Sequence, residues 1–285
     1  WWETEYGLNP SNGITTNLVG WWRFNEASGP TAYDSTTNGN NGTATNTMTW
    51  SRVAGYPDPW ALDFDGTNSE VDVPHAASLM PTSSITVMAW VYVDTWGPYG
   101  GACVLNKGLT YETGYSLSLW STDTGYCYFS AADSYVCKSN DITAGSWMHL
   151  AGVYDGTNVS VYVDGAPGET INRATPISPA EEPLRFGKAE EMFETSPLNG
   201  KIADLRIYNC ALSPNVISNF MECAWDVDGD GLDSLTEYQS GLCPTNGDTD
   251  GDGQSDGAEG SAQTDPGDAD LFMAAIAGTV TDNTE

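Results

Sequence analysis

Sixteen carboxylates lie between Glu222 and Glu285, and that stretch holds no Lys or Arg to neutralise them. Such a segment repels itself unless cations intervene, so it either stays a solvated acidic tail or folds around metal. Spacing separates the two. In "DVDGDGLDSLTE" carboxylates stand at positions 1, 3 and 5 (Asp226, Asp228, Asp230), Gly231 follows at 6, Leu232 can offer its carbonyl at 7, and Glu237 closes the loop at 12. Asp248, Asp250, Asp252, Gly253, Gln254 and Glu259 repeat the plan 22 residues later. A hard cation takes six to eight oxygens, Gly permits the sharp turn, and the last Glu can bind through both oxygens, so the spacing points to two Ca2+ loops. A solvated acidic linker is the alternative.

The residues ahead of this segment have another character. "VGWWRFN", "WALDFDG", "SEVDVP", "SITVMAWVYV", "ACVLNKG", "GYSLSLWS", "YCYFSAA", "WMHLAGVYDG", "NVSVYVDG", "PLRFGK" and "GKIADLRIYN" are short alternating runs bounded by turn residues, which is how strands read. In "TNVSVYVDG" Val159, Val161 and Val163 share one face, with Ser160, Tyr162 and Asp164 on the other. So many short strands imply a mainly β fold, a two-sheet antiparallel sandwich. "SPNVISNF", opened by Ser213-Pro214, is the one clear helix.

Taken in order, "LVGWWRFNEASGPTAYDSTTNGNNGT", "ALDFDGTNSEVDVP", "SITVMAWV", "WMHLAGVYDGTNVSVYVDG" and "NGKIADLRIYNCALS" resemble a laminin G-like (concanavalin A-like) jelly roll from about Gly13 to Phe220. The acidic elements "DTDGDGQSDGAE" and "TDPGDAD" resemble thrombospondin type 3 repeats and their bacterial relatives. Dockerin modules space similar loops, but there each loop leads into an apolar helix, which "GAEGSAQTDPGDAD" does not supply. The repeat resemblance implies that Asp265, Asp268 and Asp270 complete or add a site, with Asp233 and Asp256 as weaker candidates. The organisation expected is a tail of a preceding calcium-repeat-like segment over 1–12, the jelly roll over 13–222, tandem calcium loops over 223–270, and over 271–285 the start of a further β-domain or a free strand. With "WWETEYGLNPSNG" reading as the end of another repeat, and no signal peptide or membrane span, the chain reads as a portion of a longer exported polypeptide.

Glucanases on the jelly-roll fold carry three acids on one strand face. Here Glu70 and Asp72 are followed by Val73, Pro74 and His75, so the third acid is missing and catalysis is not expected. The turn "AYDSTTNGNNGT" offers Asp34 and Asn38, which with Asp204 form a candidate structural calcium site, or else an Asx-rich turn held by its own hydrogen bonds. Trp120 shares a face with Ser116 and Ser118, and Trp96, Tyr99 and Tyr111 sit in Gly-rich loops. Such aromatics either stack on sugar rings or plug the ends of a sandwich. Six cysteines suggest disulfides, with Cys127–Cys137 and Cys210–Cys223 the best pairs.

Two functions follow. One is a non-catalytic, extracellular or cell-surface calcium-dependent adhesion module on a calcium-stiffened stalk, recognising glycan or an extracellular matrix protein. The other is a structural subunit that assembles with other copies of itself into a fibre or surface layer through its termini. With 39 acidic against 9 basic residues, nucleic acid is not an expected partner.

Overall fold

A computed structural model describes residues 17–45, 48–52, 60–97, 100–108, 113–121, 125–131, 136–189, 197–223, 230–232, 242, 246–262, 264 and 266–267. Described residues up to Ser218 form one compact unit, and those from Asn219 on form a second.

The first unit is two antiparallel eight-stranded sheets. The first sheet orders β14 (Ala166–Asn172), β13 (Asn158–Val163), β12 (Trp147–Tyr154), β7 (Ile85–Val93), β16 (Asn199–Tyr208), β5 (Trp60–Asp65) and β4 (Thr49–Arg52). β1 (Leu18–Trp22) also pairs with β16. The second sheet orders β11 (Val136–Ile142), β10 (Gly125–Ala131), β9 (Tyr115–Ser121), β8 (Gly101–Lys107), β15 (Leu184–Phe186), β6 (Glu70–Val73), β3 (Gly42–Thr45) and β2 (Thr31–Ala32). β16 changes partner along its length: Asn199 to Ile202 face β5, and Leu205 to Tyr208 face β1. Between the two stretches lies a bulge where Asp204 takes a positive φ of 47°.

The core is built by alternation. Ile85, Val87, Ala89, Val91 and Val93 of β7 point inward with Val159 and Val161, and they meet Leu117, Leu119, Cys127, Phe129, Val71 and Val73 of the other sheet in one buried cluster. Phe186 receives Trp22 and Phe24 edge-on at centroid distances of 4.9 and 5.9 Å, the geometry aromatic quadrupoles prefer. Gly152 is required by close approach, because a Cβ there would lie 2.1 Å from the Phe129 ring.

Two turns share the sequence Asp-Gly-Thr-Asn, one joining β5 of the first sheet to β6 of the second and the other closing the β12–β13 hairpin. In one, Asp65 Oδ1 accepts the N–H groups of Thr67, Asn68 and Ser69. In the other, Asp155 Oδ1 accepts those of Thr157 and Asn158. Gly66 and Gly156 supply the positive φ of 71° and 95° that such turns need.

α1 (Pro214–Cys223) starts where the Ser213-Pro214 pair predicts, with Ser213 Oγ accepting the Val216 N–H at 3.4 Å. A second helix, α2 (Asp256–Ala262), forms where the sequence offers no apolar face. Side-chain oxygens organise it instead. Thr249 donates to both oxygens of the buried Asp256, through N–H at 2.8 Å and Oγ1 at 2.7 Å.

Four strands were not expected from the sequence, β2, β3, β4 and β14, while β11 completes with β10 the hairpin that "CYFSAADSYVC" reads as. β2 has two residues, while β14 holds Pro167 and Gly168, is largely exposed and lies at a sheet edge, where a strand needs no apolar alternation.

Of the cysteines expected to pair, Cys127 lies across the hairpin from Ser139 in the backbone register, and Cys137 from Phe129. Cys127 is buried in the core and Cys210 is half-buried. The Cys137 side chain lies outside the described residues. The Cys223 side chain lies outside the described residues.

Candidate functional site

Each unit carries one notable constellation. In the sandwich it is the outer face of the second sheet. Register sets Trp120 beside Tyr126, Ser118 beside Tyr128, and Ser116 between Ser130 and Asn106. Leu117 and Leu119, at the alternate positions of β9, are buried in the core, so Trp120 faces outward as the alternation predicts. It is half-buried, as are Ser118, Tyr126 and Tyr128. The Tyr126 and Tyr128 rings meet edge to face with centroids 4.7 Å apart. Farther along this face Asn106 pairs with Arg185, and Arg185 with Asp72. Ser116, Ser130 and Asn106 are buried, so the rings of Trp120, Tyr126 and Tyr128 with Ser118 are the accessible part of this end of the face. The alternation of "YCYFSAA" against Cys127 and Phe129 was the available signal for Tyr126 and Tyr128, which the sequence reading did not single out.

Trp96 does not join this face. It is half-buried and packs against the core cluster, and a Cβ on Gly125 would come within 3.0 Å of its ring. Tyr99 and Tyr111 lie outside the described residues.

The acids weighed for catalysis are engaged in ion pairs. Arg185 Nε donates to Asp72 Oδ1 at 2.9 Å, and Lys188 Nζ lies 3.9 Å from Glu70 Oε2. His75 Nδ1 is 3.0 Å from Nζ of the fully buried Lys107, whose remaining donors reach the carbonyls of Ala180 and Glu182. Burial pushes the Lys107 ammonium down, against the opposing charges of Glu182 and Glu181.

The expected calcium site of Asp34, Asn38 and Asp204 is replaced by a hydrogen-bonded knot. Asp34 Oδ1 accepts the N–H groups of Trp21 and Thr36, and Oδ2 accepts Thr36 Oγ1 and the Asn40 N–H, at 2.8–3.0 Å. Asn38 turns its Nδ2 to the Val19 carbonyl. Asp204 Oδ1 instead receives Trp21 Nε1 at 2.6 Å and Arg206 Nε at 2.8 Å. Asp34 therefore spends its acceptor capacity on protein donors, and Asp204 is neutralised by a cation of its own chain.

The acidic constellation of the second unit is different. One oxygen from each of Asp248, Asp250 and Asp252 lies within 4.8 Å of the other two. That is close to the span across a Ca2+ ion bound at 2.3–2.6 Å. Backbone donors fix the loop: Gly251 and Gly253 to Asp248, Asp252 to Asp250, and Gln254 to Asp252. These bonds leave Asp250 Oδ2, Asp252 Oδ2 and Glu259 Oε2 buried without a hydrogen-bond partner. Glu259, at the twelfth position, is 2% exposed. Burial raises its pKa, and the charges of Asp252 and Asp250 raise it further. Asp250 is raised likewise, first by burial and then by Asp252 and Asp248, against the Asp252 N–H bond. Buried, unpaired carboxylate oxygens facing one another are costly without a cation. Asp256 accepts one donor from Thr249 on each of its oxygens. Of the first loop Asp230 and Leu232 are described, whereas Asp226, Asp228, Asp233 and Glu237 are not, nor are Asp265, Asp268 and Asp270.

Residues 65–218 match the family model described as the concanavalin A-like lectin/glucanases superfamily. Among solved structures, domain 4 of the extracellular GH43 arabinanase AbnA of Geobacillus stearothermophilus, in complex with arabinotriose, is 20% identical with a TM-score of 0.55; the match covers 72% of this chain and 98% of that one. The binding domain of botulinum neurotoxin DC, in complex with SialylT, is 12% identical with a TM-score of 0.56, covering 75% of this chain and 53% of that one. The Trypanosoma rangeli sialidase is 19% identical with a TM-score of 0.54, covering 73% of this chain and 32% of that one. The match thus spans about half of the toxin domain and a third of the sialidase. No curated protein matches the sequence. Among the described residues no helix is long and apolar enough to cross a membrane.

Proposed function

The chain belongs to the concanavalin A-like lectin/glucanases superfamily, and from that premise we propose that it is a non-catalytic, extracellular glycan-binding module followed by a calcium-ordered, thrombospondin type 3-like segment. The observation that carries the glycan reading is the outer face of the second sheet. There the half-buried rings of Trp120, Tyr126 and Tyr128 stand beside Ser118. A sugar offers an apolar C–H face to a ring and hydroxyls to the groups around it, and this surface supplies both kinds of partner. The resembling structures solved with arabinotriose and SialylT lend the reading support. Glu70 and Asp72 are engaged by Lys188 and Arg185, which favours binding over hydrolysis.

In the second unit Asp248, Asp250, Asp252 and Glu259 would hold the ion. Bound there, Ca2+ supplies the positive charge that the orphan oxygens lack. Millimolar calcium outside cells suits such a site, and this is why the module is assigned there.

The test is a glycan array probed with the full chain in millimolar calcium, alongside Trp120→Ala and Tyr128→Ala. Saturable binding to a defined glycan class, lost in both variants at unchanged melting temperature, is the expected result. Absence of binding to any glycan, or binding that both variants retain, overturns the assignment.

A further inference from the structure

Lys107 is a cation that the functions argued above do not use. It ends β8 and is fully buried. Its ammonium reaches residues 173–183, which form neither strand nor helix and lead into β15. Pro176, Pro179 and Pro183 deprive that segment of N–H groups, so its carbonyls take donors from other elements. Tyr154 Oη donates to the Thr175 carbonyl at 2.6 Å, and the Gly114 N–H to that of Ser178 at 2.8 Å. From Ala180 onward Lys107 supplies the donors. Its Nζ donates to the carbonyl of Ala180 at 3.2 Å and to that of Glu182. The third partner is His75 Nδ1 at 3.0 Å, from the turn after β6. On the far side of the ring, His75 Nε2 lies 3.5 Å from Glu181 Oε2.

We infer that Lys107 and His75 form a proton-operated clamp on residues 180–183, closed with one hydrogen between the two nitrogens and opened when a second arrives. The gap between Nζ and Nδ1 admits a single hydrogen. Either the ammonium donates to a bare Nδ1, or Nδ1–H donates to an amine, and in both cases two Nζ hydrogens remain for the two carbonyls. A second proton would set N–H against N–H and cation against cation in a buried place, which is costly. The charged and titratable groups around the imidazole are Lys107 from β8 and Glu181 and Glu182 from the segment. Tyr115 of β9 has its hydroxyl on the Leu79 carbonyl, and Asp72 of β6 is held by Arg185. The Glu181 side chain is 89% exposed, so solvent screens its pull on an imidazolium. The open state carries both protons and the closed state does not, so acid favours opening and the clamp is fully closed at neutral to alkaline pH. Each pH unit below the range in which an exposed histidine titrates lowers the ratio of closed to open by up to about tenfold. The released residues run directly into β15, which sets Arg185 opposite Asp72 on the outer face of the second sheet. Opening therefore acts at the border of that face.

An NMR titration of the full chain from pH 8 to 5.5 tests this, in a window that stays above the ordinary carboxylate range of Glu181 and Glu182. The amides of Ala180, Glu181, Glu182 and Leu184 are expected to shift together with the His75 ring nitrogens. Their hydrogen exchange, corrected for its intrinsic pH dependence, should accelerate about tenfold by the acid end. His75→Gln keeps an acceptor opposite Lys107 and has no proton to gain, so it should hold the segment closed throughout. Lys107→Met removes the clamp, and the segment should then exchange fast at every pH. The His75→Gln arm decides the matter alone if Lys107→Met does not fold. A segment that stays still while His75 titrates, or a pH response that His75→Gln retains, overturns the clamp.

Discussion

Asp155 and Asp250 are the same side chain in opposite circumstances. Asp155 opens a hairpin turn in which Thr157 and Asn158 surround the carboxylate with donors. Slight burial works against its charge, but the bonds from Asn158 and Thr157 prevail and hold its pKa at about 2. Asp65, in the twin turn, is likewise held below the usual carboxylate range. Asp250 receives one backbone donor, and its other oxygen is buried opposite further carboxylates, so its pKa moves upward. The contrast separates two uses of aspartate. One surrounded by N–H groups is a finished structural part and needs no ion. One whose free oxygen converges with others is, on the calcium reading proposed above, half of a bond that a cation would complete.

The contrast can be broken most directly by removing calcium. At a free calcium a hundredfold above Kd, each site contributes about 2.7 kcal/mol, and chelation should remove it. Two-domain calorimetry is expected to show the transition of the second unit moving down while that of the sandwich stays in place; a shift of both by the same amount would erase the distinction. Asp250→Ala should lower calcium affinity at least about tenfold and leave sandwich melting unchanged. Asp34→Ala is its converse. It strips the partner from buried donors around Asn40 and Trp21, and should cost the sandwich about 3 kcal/mol with calcium affinity untouched.

His149 sharpens the comparison from another side. It is a buried group whose Nδ1 has no hydrogen-bond partner, as the loop oxygens are, but it responds by giving up its proton. Burial pushes its pKa down to about 4, against the pull of Asp204 and with the help of Arg206. Its ordinary value is about 6.5, so between these two pH values the unfolded chain binds a proton that the native one refuses. Stability from this group is full above pH 6.5 and is lost as pH falls toward 4, by on the order of 3 kcal/mol. Urea titrations of the parent and His149→Phe chains over that range should differ in slope. The smallest effect is expected of Asp155→Asn, at most about 1 kcal/mol, because the exposed turn keeps an acceptor oxygen.

Much of this was legible in the chain itself. Period-two alternation in "SITVMAWVYV", "GYSLSLWS" and "NVSVYVDG" is a direct record of which side chains water must not reach, and each run became a strand with the inward face it announces. The 1-3-5 spacing set one oxygen each of Asp248, Asp250 and Asp252 within 4.8 Å of one another in a loop where Gly251 and Gly253 take positive φ. Edge strands such as β14 left no such record, since solvent satisfies their outer bonds whatever the sequence.

What the sequence could not decide is which partner each polar group takes. Asp34 and Asp204 looked like ligands, and tertiary neighbours made them acceptors for Trp21 and Arg206. Trp96 and Trp120 looked alike, and the packing of the two sheets set one against the core cluster and the other beside Tyr126. Periodicity and loop spacing are local and are written along the chain. Hydrogen-bond partners, cross-strand neighbours and the seating of Ala180 and Glu182 on Lys107 join residues far apart in sequence, and only the folded backbone brings them within reach.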